Sequence, residues 1–301
     1  MTSIDLSGLP TDQKPTLAVI MTAFNRKAKT LAALQALASN VELDDVDLTV
    51  VLVDDGSTDG TAEAVAQAFP WVQVTHGDGS LFWCRGMHRA FELAMHSGYD
   101  YYLWLNDDTI LYPDAVSRMI RCHVDIYKRL AKQVIVVGST VDDQTGKLTY
   151  GGELRPSRWR PTTLTRVVPG DVAQKCDSMN GNFVLIPAEA AKKVGNLDPA
   201  FEHAMGDTDY ALRAGRVGVD LWVAPGVFGT CGHNSVAGTY LDTSLSFSRR
   251  WKHFLSRKGL PWRSWMIFTR RHAGPAWLLF FAVPYVKQFV RGLLQPLTLK
   301  K

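Results

Sequence analysis

The sequence predicts an α/β protein with a mostly parallel, doubly wound central sheet and a basic, tryptophan-rich helical extension at its C-terminus. Three observations carry this. Short apolar runs alternate with helical patterns between residues 16 and 224, the order that builds parallel sheets from strand–helix–strand units. The run Tyr101-Tyr102-Leu103-Trp104-Leu105 is apolar without alternation, as a strand covered on both faces must be. From Arg249 to Lys301 there are twelve Lys/Arg and no Asp/Glu, which leaves −8 on residues 1–248 of a chain with net charge +4.

Each element follows in order. Thr16 to Thr22 reads as a buried strand, followed by an Ala23-Phe24-Asn25-Arg26 loop and a helix with Leu31, Leu34 and Leu37 on one face. Leu48 to Val53 is the second strand. It ends in Asp54-Asp55-Gly56-Ser57-Thr58-Asp59-Gly60-Thr61, a run of turn and cap residues before a helix over 62–69. A short strand at Val72–Thr75 and a helix from about Gly86 to His96 lead to Tyr101–Leu105. That strand runs into Asn106-Asp107-Asp108-Thr109, at the carboxyl end of a sheet where open α/β folds place their ligands. Beyond Pro113 come a helix to Ala131, a strand at Val134–Gly138, a turn-rich stretch over 139–178 without assignable elements, and a strand over Asn180–Pro187. Helices over Ala188–Val194 and Asp207–Val217 and a last strand at Val219–Ala224 complete the pattern.

Composition bounds the function. A chain of 301 residues suits one large or two small domains. Cys84, Cys122, Cys176 and Cys231 form no C-x-x-C pair, so neither a structural zinc site nor a disulfide framework is expected, and a reducing cytosol is. Met1 to Pro15 lacks the plan of a signal peptide, and no apolar run reaches the roughly 18 residues of a spanning helix.

Four groups of residues are chemically suggestive. Asp54 and Asp55 end a buried strand, where a carboxylate can bind a nucleoside or cap a helix; Asp59 and Thr58 offer caps of their own. Neither G-x-G-x-x-G nor G-x-x-x-x-G-K-[ST] is present, which argues against a dinucleotide fingerprint or a P-loop. Asp107 and Asp108 are adjacent carboxylates at a sheet edge, where a cation would relieve their repulsion; oxygen ligands suit Mg²⁺ or Mn²⁺, and the alternative is a solvated turn. Asp207 and Asp209 open a helix, where its dipole favours anions and where many Asp residues serve only as caps. His233 follows the last strand in a Gly-rich loop, near the same edge.

Together these residues resemble the family 2 glycosyltransferases of GT-A fold, inverting enzymes that use nucleotide sugars. The matching segments are Thr22–Arg26, Val53–Thr61, Leu105–Thr109 and Gly206–Asp209 with Arg213, within about residues 16–235. Gly77-Asp78-Gly79-Ser80-Leu81-Phe82-Trp83 with Asn-Asp-Asp-Thr resembles the bacterial rhamnosyltransferase type, which builds surface polysaccharide or lipid-linked glycans. The resemblance implies Asp207 as catalytic base. It assigns Thr22, Phe24, Arg26, Asp54, Asp55, Trp83, Arg85, Asn106 and Asp107 to the donor nucleotide, Asp108 and His233 to a divalent metal (Mg²⁺ or Mn²⁺), and Asn180, Gly181, Asn182, His203 and Asp209 to the acceptor and sugar pocket. Two positions depart from the pattern: Asn106 replaces the first acid of D-x-D, and Gly206 replaces the Glu that commonly precedes the base.

The expected domains are a catalytic unit over 1–246, divided near 112/113 into nucleotide and acceptor halves, and an extension over 247–301. In the extension, Trp251, Trp262, Trp265 and Trp277 lie among arginines, and Ala273–Val286 is apolar for fourteen residues but broken by Pro275 and Pro284. Tryptophan and arginine beside an apolar stretch suit an anionic membrane surface; packing on the rest of the chain or a homodimer contact is the alternative, and nucleic acid is not expected. The resulting expectation is a UDP- or dTDP-sugar donor, a glycan or lipid-linked acceptor, and a cytoplasmic location on the inner membrane face. A sugar nucleotidyltransferase and a non-catalytic nucleotide-sugar binding module are the other classes. The former would need a Gly-rich, basic triphosphate loop where Thr-Ala-Phe-Asn-Arg stands.

Overall fold

The computed structural model describes residues 14–294 apart from Glu42, Asp44, Asp45, Arg158 and 233–235. The first half of the chain runs β1 (Thr16–Ala23), α1 (Lys27–Ala38), β2 (Asp47–Asp54), α2 (Thr61–Ala68), β3 (Val72–His76), α3 (Phe82–Ser97) and β4 (Tyr101–Leu105). Next come β5 (Ile110–Leu111), α4 (Ala115–Leu130), β6 (Ile135–Val141), β7 (Leu148–Tyr150), β8 (Gly152–Leu154) and β9 (Thr165–Arg166). Then follow β10 (Gln174–Cys176), β11 (Ser178–Met179), β12 (Phe183–Pro187), α5 (Ala188–Val194), α6 (Gly206–Arg216) and β13 (Leu221–Thr230). The extension forms α7 (Phe247–Phe254), α8 (Trp262–His272) and α9 (Trp277–Leu294).

The main sheet has the order β10-β13-β6-β12-β4-β1-β2-β3. β4 is buried throughout. Its side chains alternate between two cores: Tyr102 and Trp104 pack with Met87, Ala90 and Phe91 of α3, while Leu103 and Leu105 pack on the other face with Leu34 of α1 and Met119 of α4. Burial on both faces is why the run carries no polar alternation. β1 lies parallel between β2 and β4, and β13 lies parallel to β6.

Four strands depart from the doubly wound expectation: β5 and β10 pair antiparallel with β13, β7 pairs antiparallel with β6, and β12 is reversed in the middle of the sheet. β12 inserts antiparallel between β4 and β6, pairing Phe183 with Leu105 and Val184 with Val137. Its first residues therefore lie beside the last residues of β4. The stretch over 139–178 contains the end of β6, then β7 to β10 and the start of β11. There β8, β9 and β11 form a separate three-stranded sheet.

α8 is packed into the body of the protein. Trp265 and Phe268 belong to the same core as Trp104 and Tyr210, and Pro284 is accommodated inside a continuous α9. Among the described residues no helix is long and apolar enough to cross a membrane.

Candidate active site

The carboxyl ends of β1, β2 and β4 meet the amino end of β12 at one edge of the sheet, and the loops there are tied together by side chains. Asn25 adopts a left-handed conformation (φ 50°), donates its backbone N–H to the Ser57 hydroxyl and accepts from the Thr58 N–H at 2.7 Å. Phe24 beside it is 48% exposed, a free aromatic face close to Gly79.

Asp54 and Asp55 are both buried, and their oxygens have internal partners. Asp54 accepts the Ser57 hydroxyl. Asp55 accepts three backbone N–H groups, from Gly79 at 2.9 Å, Leu81 at 2.9 Å and Phe82 at 3.0 Å, and so fixes the loop entering α3 with Phe82 at φ 57°. Capping is therefore what Asp55 does, but for α3 rather than α2; Asp59 serves the first turn of α2 through the Thr61 N–H. Thr22, expected at the nucleoside, donates its hydroxyl to the Val53 carbonyl at 3.0 Å beneath the close approach of Gly86. Arg85, also expected at the donor, is turned to the Pro199 carbonyl and to Glu202.

At the tip of β4 the sequence motif separates into distinct roles. Asn106 accepts the Trp83 indole N–H at 2.7 Å and donates its backbone N–H to the Asn182 carbonyl at 3.0 Å. Arg26 donates to Asp107 at 3.1 Å and to Asp108 at 2.6 Å, with the Lys29 ammonium 3.6 Å from Asp108. Burial pushes Asp107 up to about 6, against the pull of Arg26. Among the described residues, the second Asp108 oxygen meets the Cys231 thiol at 3.6 Å, itself in contact with the Asn182 amide.

These donors fit a hard divalent cation that brings its remaining ligands from a substrate, the habit of Mg²⁺ held by one or two carboxylates and phosphates. They do not form a self-sufficient cage: among the described residues no three His, Cys, Asp or Glu side chains cluster around a common point. His233, expected as a ligand, lies outside the described residues.

Asp207 sits in the first turn of α6, which begins after Met205 at φ 72°, a left-handed conformation that costs energy for a bulky residue and marks a constrained turn. Its carboxylate accepts the Gly181 N–H at 3.0 Å and the Thr208 N–H at 2.8 Å. Burial raises its pKa, and those N–H groups pull it back. Gly181 is a forced choice. A Cβ there would lie 2.6 Å from the Trp83 ring and 3.4 Å from the Asp207 Cβ. Asp207, Gly181, Trp83 and Asn106 thus form one chain of contacts across the edge.

Asp209, expected in the acceptor pocket, points the other way. It is fully buried and its oxygens are filled by Arg213, Arg271 and His272, because residues two apart on a helix face different directions. His203 does stay near the edge, edge-on to Phe82. Its Nδ1 is buried without a partner, and burial lowers its pKa to about 4. Asn180 accepts from the Gly151 N–H and from Arg166 on the small sheet.

Glu153 and Arg166 were not anticipated. Glu153 is mostly buried, has Arg166 3.9 Å away, and feels the charge of Asp207, which together with burial raises its pKa. The available sequence signal was Tyr150-Gly151-Gly152-Glu153: Gly152 leaves no room for a side chain against Val223 and Cys176, which fixes its neighbour Glu153.

A mostly parallel sheet whose central strand ends in Asn-Asp-Asp, with a buried aspartate across the gap, defines a GT-A nucleotide-sugar fold. The model of the glycosyl transferase family 2 matches residues 18–183, more than half of the 301 residues, and the chain belongs to that family. Asp207 and the extension lie beyond the matched span. Among solved structures it is similar to S. aureus TarS (TM-score 0.52, 13% identity, 72% of this chain and 37% of that one). It is also similar to S. aureus TarS 1–349 in complex with UDP (TM-score 0.53, 14% identity, 73% of this chain and 61% of that one). At such identities the likeness is one of fold. A search of curated proteins gives no significant match.

Proposed function

We propose that this family member is an inverting glycosyltransferase of the rhamnosyltransferase-like type. It moves a sugar from a UDP- or dTDP-linked donor to a hydroxyl of a glycan or lipid-linked acceptor in bacterial surface glycan synthesis. The observation that carries this reading is the placement of Asp207, a buried carboxylate with a raised pKa joined through Gly181 and Trp83 to Asn106. A base with a raised pKa is matched to taking a proton near neutral pH.

The residues divide the work. The Asp207 carboxylate takes the acceptor hydroxyl proton as that oxygen bonds to the anomeric carbon. The bond from that carbon to the diphosphate breaks on the opposite face, and the nucleoside diphosphate leaves with the electron pair. Phe24 offers a stacking face for the nucleobase, and Arg26 and Lys29 supply positive charge beside the diphosphate. Asp108, with Asp107, would hold a divalent metal, which when bound neutralises charge on the leaving group. The catalytic residues lie within 1–246.

The extension supports a peripheral place on an anionic membrane. α9 exposes Leu278, Leu279, Val286, Phe289 and Val290 beside Lys287 and Arg291, an apolar stripe flanked by cations. The bacterial, inner-face location rests on this and on the resemblance of the motifs.

The test is a nucleotide-sugar panel scored by nucleoside diphosphate release with Mg²⁺ or Mn²⁺ and a saccharide acceptor mixture. Release from one donor class, with the product's anomeric configuration inverted by NMR, is the expected result. Retention of configuration, or no nucleotide binding at all, would defeat the reading.

A further inference from the structure

The small sheet beside Asp207 contains buried polar atoms that nothing among the described residues satisfies. Across β11, β8 and β9, Ser178, Glu153 and Arg166 stand directly opposite one another, so their side chains share one face. The Ser178 hydroxyl and Arg166 Nε are buried without a hydrogen-bond partner, as is Nε of Arg155, two residues along from Glu153. Buried donors of this kind are rare and call for an explanation. The row is tied to Asp207: Arg166 donates to Asn180, whose neighbour Gly181 donates to Asp207, and the Asp207 charge acts on Glu153 at the middle of the row.

The Arg155 end of β8 opens into a cavity of about 1000 Å³ lined by Arg155, Trp159, Arg216 and Leu279, among others. Asp177 lines it too and is four residues from Gly181, a span of about 13 Å in extended chain. The cavity has a positive balance to offer. Asp220 is paired with Lys175, and Asp177, which accepts the Arg155 backbone N–H, also acts through its charge on the Arg155 guanidinium; Arg155, Arg216 and Lys175 thus outnumber Asp177 and Asp220 by one, and Arg155 and Arg216 are close enough to act on one another as like charges. Trp159 is 76% exposed at the rim. Residues 151–170 hold four arginines against the single acid Glu153.

We propose that this row and cavity form a distal acceptor subsite for an acidic saccharide chain. The sugar being glycosylated sits at Asp207, the next units hydrogen-bond Glu153, Arg166 and Ser178, and a phosphate or carboxylate group further along the chain meets Arg155 and Arg216 with a ring stacked on Trp159. This rests on the transferase reading, because it assigns the row to the acceptor of that reaction.

The probes are hexagalacturonate, phosphorylated maltohexaose, unmodified maltohexaose and a thymidylate dodecamer. Each is titrated by calorimetry, and the Trp159 signal is followed by fluorine NMR of protein labelled with 5-fluorotryptophan. At least one acidic oligosaccharide should bind and shift the Trp159 resonance, and which of the two binds identifies the anion. Arg155→Gln should weaken that binding about tenfold, the size of a lost hydrogen bond to a charged group. Trp159→Ala, an exposed position whose loss leaves the fold intact, should weaken it as well. Equal binding of neutral maltohexaose, equal binding of the dodecamer, binding indifferent to both substitutions, or no binding of either acidic probe overturns the proposal. Titration of the unmodified protein with UDP and with dTDP separates the two readings. Binding of either nucleotide without oligosaccharide binding removes only the subsite, whereas oligosaccharide binding with neither nucleotide bound removes the transferase.

Discussion

The Arg271 guanidinium of α8 donates to Asp209 at 2.7 Å, two residues beyond Asp207 on α6. His272 meets the same oxygen at 2.8 Å, and Arg271 also reaches Asp198 at 2.7 Å. The C-terminal extension is therefore bolted to the back of the helix whose front carries the proposed base. Burial raises the Asp209 pKa, but hydrogen bonds from His272 and Arg213 more than reverse this and leave it lowered. Its stabilising effect is present above about pH 4 and is lost as pH falls through the lowered value. Asp209→Ala strands three partners around a buried hole and should cost about 3–5 kcal/mol in urea unfolding at pH 7. A loss under 1 kcal/mol would mean that the network is not what holds α8.

Asp207→Asn keeps the shape of the side chain and removes its basicity. Transfer should fall by about 10²–10⁴-fold, with UDP affinity nearly unchanged by calorimetry. Unaltered turnover would rule out Asp207 as the base.

Gly181→Ala tests the linkage between the two sides of the edge. The added methyl overlaps the Trp83 ring, so Trp83 and the Asn106 it holds must shift. Misplacement on the order of 1 Å can cost about 10²-fold in rate. The expected signature is that loss of turnover with a melting temperature close to that of the unmodified protein.

Chelation should weaken donor binding if Asp108 holds a metal. Calorimetry with UDP should show tighter binding with Mg²⁺ than with EDTA, and Asp108→Ala should abolish that difference. Identical affinities with and without metal in the unmodified protein would remove the metal from the site.

His123 supplies a pH test of stability. It is fully buried between Tyr101 and Gln133, and burial lowers its pKa to about 4. The unfolded chain takes up that proton near pH 6.5, before the folded protein does, so stability is complete above that pH and falls as pH drops toward 4. The loss amounts to about 3 kcal/mol at about 1.4 kcal/mol per unit. Asp107, raised to about 6, acts in the opposite sense over part of the same range. Comparing the pH 5 and pH 7 urea midpoints of the unmodified protein and His123→Gln isolates the histidine: the substitution should flatten the slope.

Membrane attachment is best tested on α9 by charge reversal, because deleting everything after residue 246 would remove Trp265 and Phe268 from the core. Lys287→Glu combined with Arg291→Glu should abolish flotation with anionic vesicles while leaving unfolding unchanged. Equal flotation, or none for either protein, counts against the membrane reading.

The parts of this architecture that sequence made legible are those where burial dictates residue type. β4 could be read because both of its faces are covered, and the Asp-Asp-Gly-Ser-Thr-Asp-Gly-Thr turn because each of its residues suits a cap or a left-handed bend. The direction of β12 could not, since an apolar run looks the same parallel or antiparallel. The internal partners of Asp55 and Asp209 could not be read, because a carboxylate serving backbone N–H groups or a buried arginine is, in sequence, indistinguishable from one waiting for a ligand. The small sheet was missed because strands of two or three residues are too short for any periodicity.

The reversed direction of β12 has a consequence for how such a protein can diversify. Because this strand starts where β4 ends, the two residues just before it reach both sides of the gap: Gly181 donates to Asp207 and Asn182 accepts from Asn106. The separation between Asn106 and Asp207, the proposed base, is thereby set by the sheet itself. The loop-rich segment that builds the small sheet hangs from this fixed frame. Under the proposed function, lengthening it, or replacing its arginines, would change which glycan is received without moving Asn106 or Asp207.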